Sequence, residues 1–479
     1  MDQGNDAVHV REILDRKQIL LRGPETGIKG VYHGALWYYY IAIGYLIFDG
    51  HPFGSVFMLI LLNLALTAII TIKVASRVSK IAAIIVGSSL QFYWWFYDTS
   101  RYGFNPFPLA FLSVILIFLL VDFIENKEVR ILGKKINPFV LASIPIGLAF
   151  HCESAAAVGF TIFYFLLGLW SLFKKKLNLK LIFSAIFLIS LFFIPRLISE
   201  IKSDFSQSKV LRRELSEPKG VFSETRFLLI SRKFSTLIAR RITPQSTEVG
   251  IAILVFTLLL FIRTPNKHSF IKNFTYFSLF LIIISWIWFG SNKGWQIWHT
   301  VYFRPLLFMS VILMLLNIRS KLAYSILVVI LISQIIFFKT SYLENFYPSS
   351  DASILKNEID AVDWVYRSSD SKGFHVYSYL PSVYDYPYQY LFWWHGRKEY
   401  GYVPCEYSTY PKTPDLFIPG LKHYQEPKRE CTNLRFLIIE PDKNQFLRDK
   451  WLEQTRSGTR LVESKDIGSI KIEKREIVI

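Results

Sequence analysis

Cysteine is scarce in this chain. There are three among 479 residues, Cys152, Cys405 and Cys431, with no CxxC pair and no Cys/His spacing of the kind that builds a zinc site. No cysteine-held metal centre is therefore expected. Cys405 and Cys431 share one polar region, and whether they pair depends on an oxidising compartment and on a separation in space that sequence does not fix. Charge is also sparse, 19% of residues against 52% hydrophobic and 16% aromatic, with a mean hydropathy of +0.31. That balance excludes an ordinary soluble domain. The chain has no P-loop, no GxGxxG after a strand, no HExxH and no GxSxG, which removes most support for ATP-driven transport and for serine or zinc hydrolysis. It has no internal repeat and no low-complexity tract.

What the chain has is apolar length. Runs of about 17 to 21 residues recur over the first 340 positions, each enough to cross a ~30 Å hydrocarbon core as a helix. Candidate spans lie at 53–72, 80–97, 107–124, 137–150, 155–173, 180–199, 248–263, 270–290, 301–318 and 321–339. The expected fold class is a polytopic α-helical membrane protein, with about 10–11 apolar segments once residues 34–48 are included. The net charge of +18 does not point to nucleic acid, because Lys and Arg sit between the apolar runs and form no single basic face. They follow membrane topology: the connections KVASRVSK, ENKEVRILGKKIN, FKKKLNLK, RTPNKHSFIKN and NIRSK are basic, whereas YDTSRYGFNPF, HCES and SNKGWQIWHT are nearly free of basic residues. The positive-inside rule makes the first set cytoplasmic.

That parity puts residues 49–52 and everything after 340 outside. Residues 34–48, rich in Tyr and Trp, either cross the membrane fully or lie in its interface, and hydropathy does not separate the two. The connection 200–247 is external by parity yet basic. Within it Phe227, Ile230, Phe234, Leu237 and Ile238 fall at helical spacing, with Arg226, Arg232, Lys233, Arg240 and Arg241 opposite, Ser223 as N-cap and Pro244 as stop. Such an amphipathic helix either packs on the spans or turns its cations to anionic lipid phosphates. Beyond residue 340, β-type runs at 374–380, 435–441 and 469–479 alternate with helical patterns at 353–367 and 444–456, the mark of a small α/β domain outside the membrane. The expected division is a first external loop at 1–52, a membrane bundle at 53–339 with the loop at 200–247, and the α/β domain at 340–479.

Polar side chains gather on the side assigned as external: Asp2, Asp6, Arg11 and Glu12, then Glu25, Lys29, Tyr32 and His33, then Asp98, Arg101 and Asn105, and finally Trp298, His299 and Arg304. Arg304 precedes a proline and an apolar run, a costly place for a cation. It either snorkels to headgroups or holds a phosphate bidentately. The aromatic run at 384–402 is either core of the outer domain or a platform for sugar stacking. Carboxylates together with cations at a membrane surface suit transfer from a lipid-phosphate donor. One carboxylate takes the acceptor hydroxyl's proton, while a cation offsets the charge growing on the leaving phosphate.

The stretches DQGNDAVHVREIL, GPETGIKGVYHGALWYYYIAIGYLIF and YDTSRYGFNPFPLAF resemble the first part of GT-C fold glycosyltransferases, the group related to protein O-mannosyltransferases and the lipid A aminoarabinose transferase. The motifs cover roughly residues 1–125. In that group the first external loop opens with an Asp followed by an acidic or amide residue, then an Arg-Glu pair; Asp2, Gln3, Arg11 and Glu12 match. The resemblance implies Asp2 as catalytic base, Asp6 as a substrate-binding or supporting acid, and Arg11, Glu12, Tyr32, His33, Arg101 and Asn105 at the substrate. Arg304, His299, Arg240 and Arg241 are then the phosphate-binding set. It makes residues 34–48 a juxtamembrane helix, in agreement with the charge parity. Tyr32, His33, Gly34 and Ala35 stand where many members have Glu-Lys-Pro-Pro, and Asn105 where relatives often carry a second acid, so a divalent metal is left open and no other cofactor is implied. Members normally have a transmembrane helix before the catalytic Asp, so upstream DNA is expected to encode about 20 apolar residues with basic flanks.

The function this implies is an inverting sugar transfer from a polyprenyl-phosphate donor to an extracytoplasmic glycan, lipid or protein, in a multi-pass protein of the cell membrane. A transporter or flippase of lipid-linked glycans is the rival. It would place ionisable groups near the midplane in broken helices rather than in a loop followed by a folded domain.

Overall fold

The computed structural model describes residues 2–216, 224–265, 268–290, 296–346, 349–381, 386–411 and 429–478; the side chains of residues 2, 215, 224–226, 241 and 342–346 lie outside that description. The chain divides into two compact units, one formed by residues 20–40 and 56–342, the other by residues 1–19, 41–55 and 343–479. In chain order the elements begin with α1 (Asp2–Leu14) and α2 (Leu36–Ile47). Twelve residues of helix rise about 18 Å, well short of a hydrocarbon core, so α2 is too short to cross.

The larger unit is helical: α3 (Phe53–Arg77), α4 (Lys80–Gln91), α5 (Trp94–Asp98), α6 (Leu109–Ile124), a small hairpin of β1 (Val129–Ile131) and β2 (Lys134–Ile136), α7 (Pro138–Leu141), α8 (Ser143–Cys152), α9 (Ser154–Phe173), α10 (Leu179–Lys202), α11 (Ser206–Ser216), α12 (Glu224–Ile242), α13 (Thr247–Arg263), α14 (Ser269–Gly290), a 3-10 turn (Ile297–Thr300), α15 (Phe303–Ile318) and α16 (Lys321–Phe346). Among the described residues five helices are long and apolar enough to cross a membrane, or six with α10, which bends by 50°. Each span expected from hydropathy is helical, but two are interrupted. The run at 80–97 breaks after Gln91 and that at 137–150 is split between α7 and α8. The window of α15 is 89% buried against 22% for α16, which puts α15 at the centre of the bundle. An ion cluster ties α3, α6 and α14: Lys73 and Arg77 pair with Asp122, Arg77 with Glu125, and Asn273 donates to Glu125 at 3.0 Å.

Helix α12 resolves the amphipathic loop as a packed helix. Ile230 and Phe234 are buried, the Phe234 ring meets Phe303 at 5.3 Å, and Trp286 Nε1 donates to Ser231 Oγ at 3.2 Å. Arg232, Lys233 and Arg240 are exposed on the other side. The helix ends at Ile242, before Pro244; Ser223 and the side chains of Arg226 and Arg241 lie outside the described residues.

The smaller unit continues with α17 (Leu355–Ser368), β3 (Gly373–Tyr379), α18 (Tyr386–Leu391) running into a π-helical stretch (Phe392–Tyr400), β4 (Glu406–Ser408), β5 (Cys431–Ile439), α19 (Gln445–Arg456), β6 (Thr459–Ile467) and β7 (Ile470–Ile477). The sheet order is β4-β3-β5-β7-β6, parallel where β3 meets β4 and β5 and antiparallel elsewhere. Alternation sorts the two faces. Phe374 and Phe436 pack against Tyr366 and Trp364 of α17, while Tyr377, Tyr379, Leu437 and Ile439 cluster with Trp451 of α19. The charged strand β6 forms an exposed edge, which is why hydropathy alone passes over it. The aromatic run at 384–402 is core where it is described: Tyr390, Phe392 and Trp393 are each 1% exposed or less. Tyr384 lies outside the described residues.

Cys405 and Cys431 form a disulfide with Cα atoms 6.0 Å apart and a sequence separation of 26. It pins the residue before β4 to the first residue of β5. Closing a loop of that size stabilises a domain by about 3 kcal/mol. A Cys405→Ser/Cys431→Ser protein is expected to melt several degrees lower by calorimetry and to be indifferent to reductant. An unchanged melting temperature would show that the bond adds nothing to stability.

Candidate active site

In the larger unit, three segments converge on one buried carboxyl. Glu153 lies between α8 and α9, in extended backbone, and caps α9 by accepting the Ala155 amide at 3.3 Å. A negative group at a helix start is favoured by the exposed amides there. His33 reaches Glu153 from the loop before α2, with Nε2 at 3.8 Å from Oε2; His299 reaches it from the 3-10 turn before α15, with Nε2 at 3.7 Å from Oε1. All three are buried.

Backbone amides fix both rings. The Ser154 N–H donates to His33 Nδ1 at 3.2 Å, with the Ser154 hydroxyl 3.0 Å from the same nitrogen, and the Gln296 N–H donates to His299 Nδ1 at 3.2 Å. An amide cannot accept, so each Nδ1 is an acceptor and each neutral ring carries its proton on Nε2, the atom facing the carboxyl. Burial, together with His299, Arg196 and His151 nearby, pushes His33 down to about 3, so it is neutral at pH 7. Burial pushes the Glu153 carboxyl up to about 7, against the opposing hydrogen bond from Ala155.

The surrounding shell follows from a kink. Pro195 has no N–H and its ring crowds the preceding turn, and α10 bends by 50° between Phe192 and Ile194. His151 Nε2 donates to the Phe192 carbonyl at 2.9 Å, and its Nδ1 accepts the Leu36 amide at 3.3 Å, so one imidazole joins the bend to the start of α2. Below the bend Arg196, Ser199 and Glu200 share a face by spacing. Ser199 Oγ accepts from Arg22 Nε at 2.6 Å, and Glu200 accepts from the Ser208 amide at 2.9 Å and its hydroxyl at 2.6 Å. The Arg22 guanidinium lies over the Tyr32 ring at 5.3 Å, and the Tyr32 amide donates to Gln207 Oε1 at 2.9 Å. Glu25 accepts the Gly30 amide at 2.6 Å and closes its own loop.

The other expected residues distribute as follows. Asn105 is buried and donates to the Cys152 carbonyl, beside Glu153. Arg101 is exposed, over the Tyr97 ring at 5.5 Å. Arg304 lies over Trp95 at 5.6 Å and, with Leu237, Ile238, Thr300, Phe303 and Leu307, lines a crevice. Arg240 is exposed and donates to Thr247 Oγ1 at 3.3 Å, while the side chain of Arg241 lies outside the described residues. Of the phosphate-binding set, His299 therefore joins His33 at Glu153, and Arg304 lines the α12 crevice. The remaining residues belong to the smaller unit. There Asp6 is buried in α1, Arg11 pairs with Asp15 at 2.9 Å and stacks over Trp393 at 5.6 Å, and Glu12 is held by His9 at 2.9 Å and Arg16 at 3.3 Å. Asp2 opens α1, and its side chain lies outside the described residues.

Sequence reasoning passed over Glu153, Ser154 and His151, reading HCES only as a short connection poor in basic residues. A carboxylate between two apolar runs was itself the signal, since it is costly there without partners. A divalent metal does not fit this cluster. Among the described residues no group of three or more His, Cys, Asp or Glu is arranged to hold one, and both inward Nε2 atoms carry protons rather than lone pairs.

Long apolar helices around a central span, with a five-stranded α/β unit in the same chain, define a polytopic membrane protein. No family model matches the chain and no curated protein matches it in sequence. Two solved structures match nearly all of it. One is ArnT from Cupriavidus metallidurans bound to undecaprenyl phosphate, with a TM-score of 0.59 and 11% identity over 99% of this chain and 93% of that one. The other is the same protein in the apo state, with a TM-score of 0.57 and 10% identity over 98% and 93%. ArnT is the lipid A aminoarabinose transferase, so the fold is the one implied by the motifs of the first 125 residues.

Proposed function

We propose that this chain is a glycosyltransferase that moves a sugar from a polyprenyl-phosphate donor to an extracytoplasmic glycan, lipid or protein acceptor. The observation that carries the reading is fold likeness, over 99% of the chain, to a transferase whose structure is bound to undecaprenyl phosphate. Residues 1–52 supply the catalytic loop, residues 53–339 the membrane bundle, and residues 340–479 an outer domain. The N-terminal loop and the outer domain face away from the cytoplasm, as the charge parity and a disulfide in the outer domain both favour.

Asp2 takes the proton of the acceptor hydroxyl as its oxygen attacks the anomeric carbon. The bond from that carbon to the phosphate oxygen breaks and its electron pair leaves with the phosphate. A single displacement from the opposite face inverts the configuration. Asp6 supports the base, and Arg11, Glu12, Tyr32, Arg101 and Asn105 orient the substrates. His33 and His299 present N–H groups to the donor phosphate, Arg304 offsets its charge, and Arg240 and Arg241 meet anionic lipid.

Tryptophan fluorescence of the purified protein is expected to titrate saturably with undecaprenyl phosphate, and Arg304→Ala to weaken binding by about 10- to 100-fold, the loss of one charge-assisted phosphate contact. No saturable binding by the wild type would overturn the lipid-phosphate reading.

A further inference from the structure

We infer that Glu153 is a positioning residue that acts as a proton-controlled stand-in for the donor's phosphate, holding the N–H groups of His33 and His299 until phosphate oxygens take them. The inference rests on the proposed lipid-phosphate donor. Its basis is geometric. Two imidazoles from distant parts of the chain turn the same nitrogen to the two oxygens of one carboxyl, at 3.8 and 3.7 Å. Both gaps exceed hydrogen-bond length, so the donors are directed but not committed. Backbone amides prevent either ring from turning its acceptor inward. A buried pair of convergent N–H groups is built to meet an oxyanion, and Glu153 occupies that role while the donor is away.

The consequence depends on charge. With a proton, Glu153 is neutral and yields its place at little cost. Without one, a carboxylate faces an incoming phosphate in a desolvated site, and like charges there repel strongly. The other groups around the carboxyl do not mask this. Cys152, next to it on α8, is a buried thiol; His33 is neutral; Arg196 from the bent end of α10 and His151 act on His33. Because burial raises Glu153 to about 7, donor binding is expected to take up a proton above that pH.

The test uses the monomethyl ester of undecaprenyl phosphate, a diester whose single charge does not titrate near neutrality. Its dissociation constant for the wild-type protein in detergent is expected to rise about tenfold from pH 6.5 to 8.5, and to be flat over that range in Glu153→Gln. In the wild type at pH 8.5, infrared difference spectra with and without the ester are expected to show a protonated-carboxyl band gained on binding, so the test does not depend on the variant folding. A wild-type affinity independent of pH, or no gained band, overturns the inference and leaves the donor class standing. Absence of binding at every pH overturns the donor class itself.

Discussion

Replacing Asp2 by asparagine is expected to lower sugar transfer by about 10²- to 10⁴-fold, the usual contribution of a positioned general base. Asparagine keeps the shape and loses the basic oxygen, so the loss belongs in kcat, with donor KM nearly unchanged. The assignment rests on the frame Asp2, Gln3, Arg11, Glu12, and all four residues fall in α1. In the same helix Arg11 and Glu12 are engaged in ion pairs with Asp15, His9 and Arg16, and Asp6 is buried. Full activity in Asp2→Asn, measured with labelled donor in proteoliposomes, would remove Asp2 from the chemistry.

Gly34→Ala is expected to be strongly damaging for a single added methyl. A Cβ at Gly34 would stand 1.9 Å from His151 Nδ1, a separation no folded protein tolerates. The ring has no free direction in which to retreat, because its two nitrogens hold the Leu36 amide and the Phe192 carbonyl. Relief requires moving the loop that carries His33 or breaking the tie at the α10 bend. Overpacking of this kind costs about 1–3 kcal/mol, more where an imidazole loses both partners. The expected outcome is a lower melting temperature together with loss of undecaprenyl phosphate binding. A variant that melts and binds like the wild type would show that the loop docks elsewhere.

The pH dependence of stability has a definite sign at Glu153. Its folded value of about 7 lies above the ordinary carboxyl range near 4.5, so its contribution is fully present below the ordinary range and is lost as pH rises through 7. Between pH 5 and 8 the wild type is expected to lose melting temperature that Glu153→Gln retains.

Hydropathy carried most of the fold. All ten spans are helical, and the outer α/β domain appeared as period-two runs such as FHVYSYL, now β3. What stayed hidden has identifiable causes. The break after Gln91 and the bend near Pro195 interrupt runs that remain apolar throughout, so composition does not register them. Strand β6 is an edge too charged to look like a strand, and the Cys405–Cys431 bond depends on a spatial approach that spacing alone does not encode. At the site, His33 and His299 were legible as polar residues beside apolar runs. Glu153 carried the signal of a carboxylate between apolar runs and was passed over, because its partners lie more than a hundred positions away on either side.

The central claim is that this protein breaks the bond between a sugar and a lipid phosphate. The most direct measurement reconstitutes the purified protein in liposomes with a radiolabelled polyprenyl-phosphate sugar and candidate acceptors, then follows label and lipid together. The account predicts label appearing on the acceptor with one polyprenyl phosphate released per sugar transferred, abolished by Asp2→Asn. Intact labelled lipid crossing the bilayer with its sugar still attached, and no polyprenyl phosphate released, would contradict it and mark the protein as a transporter.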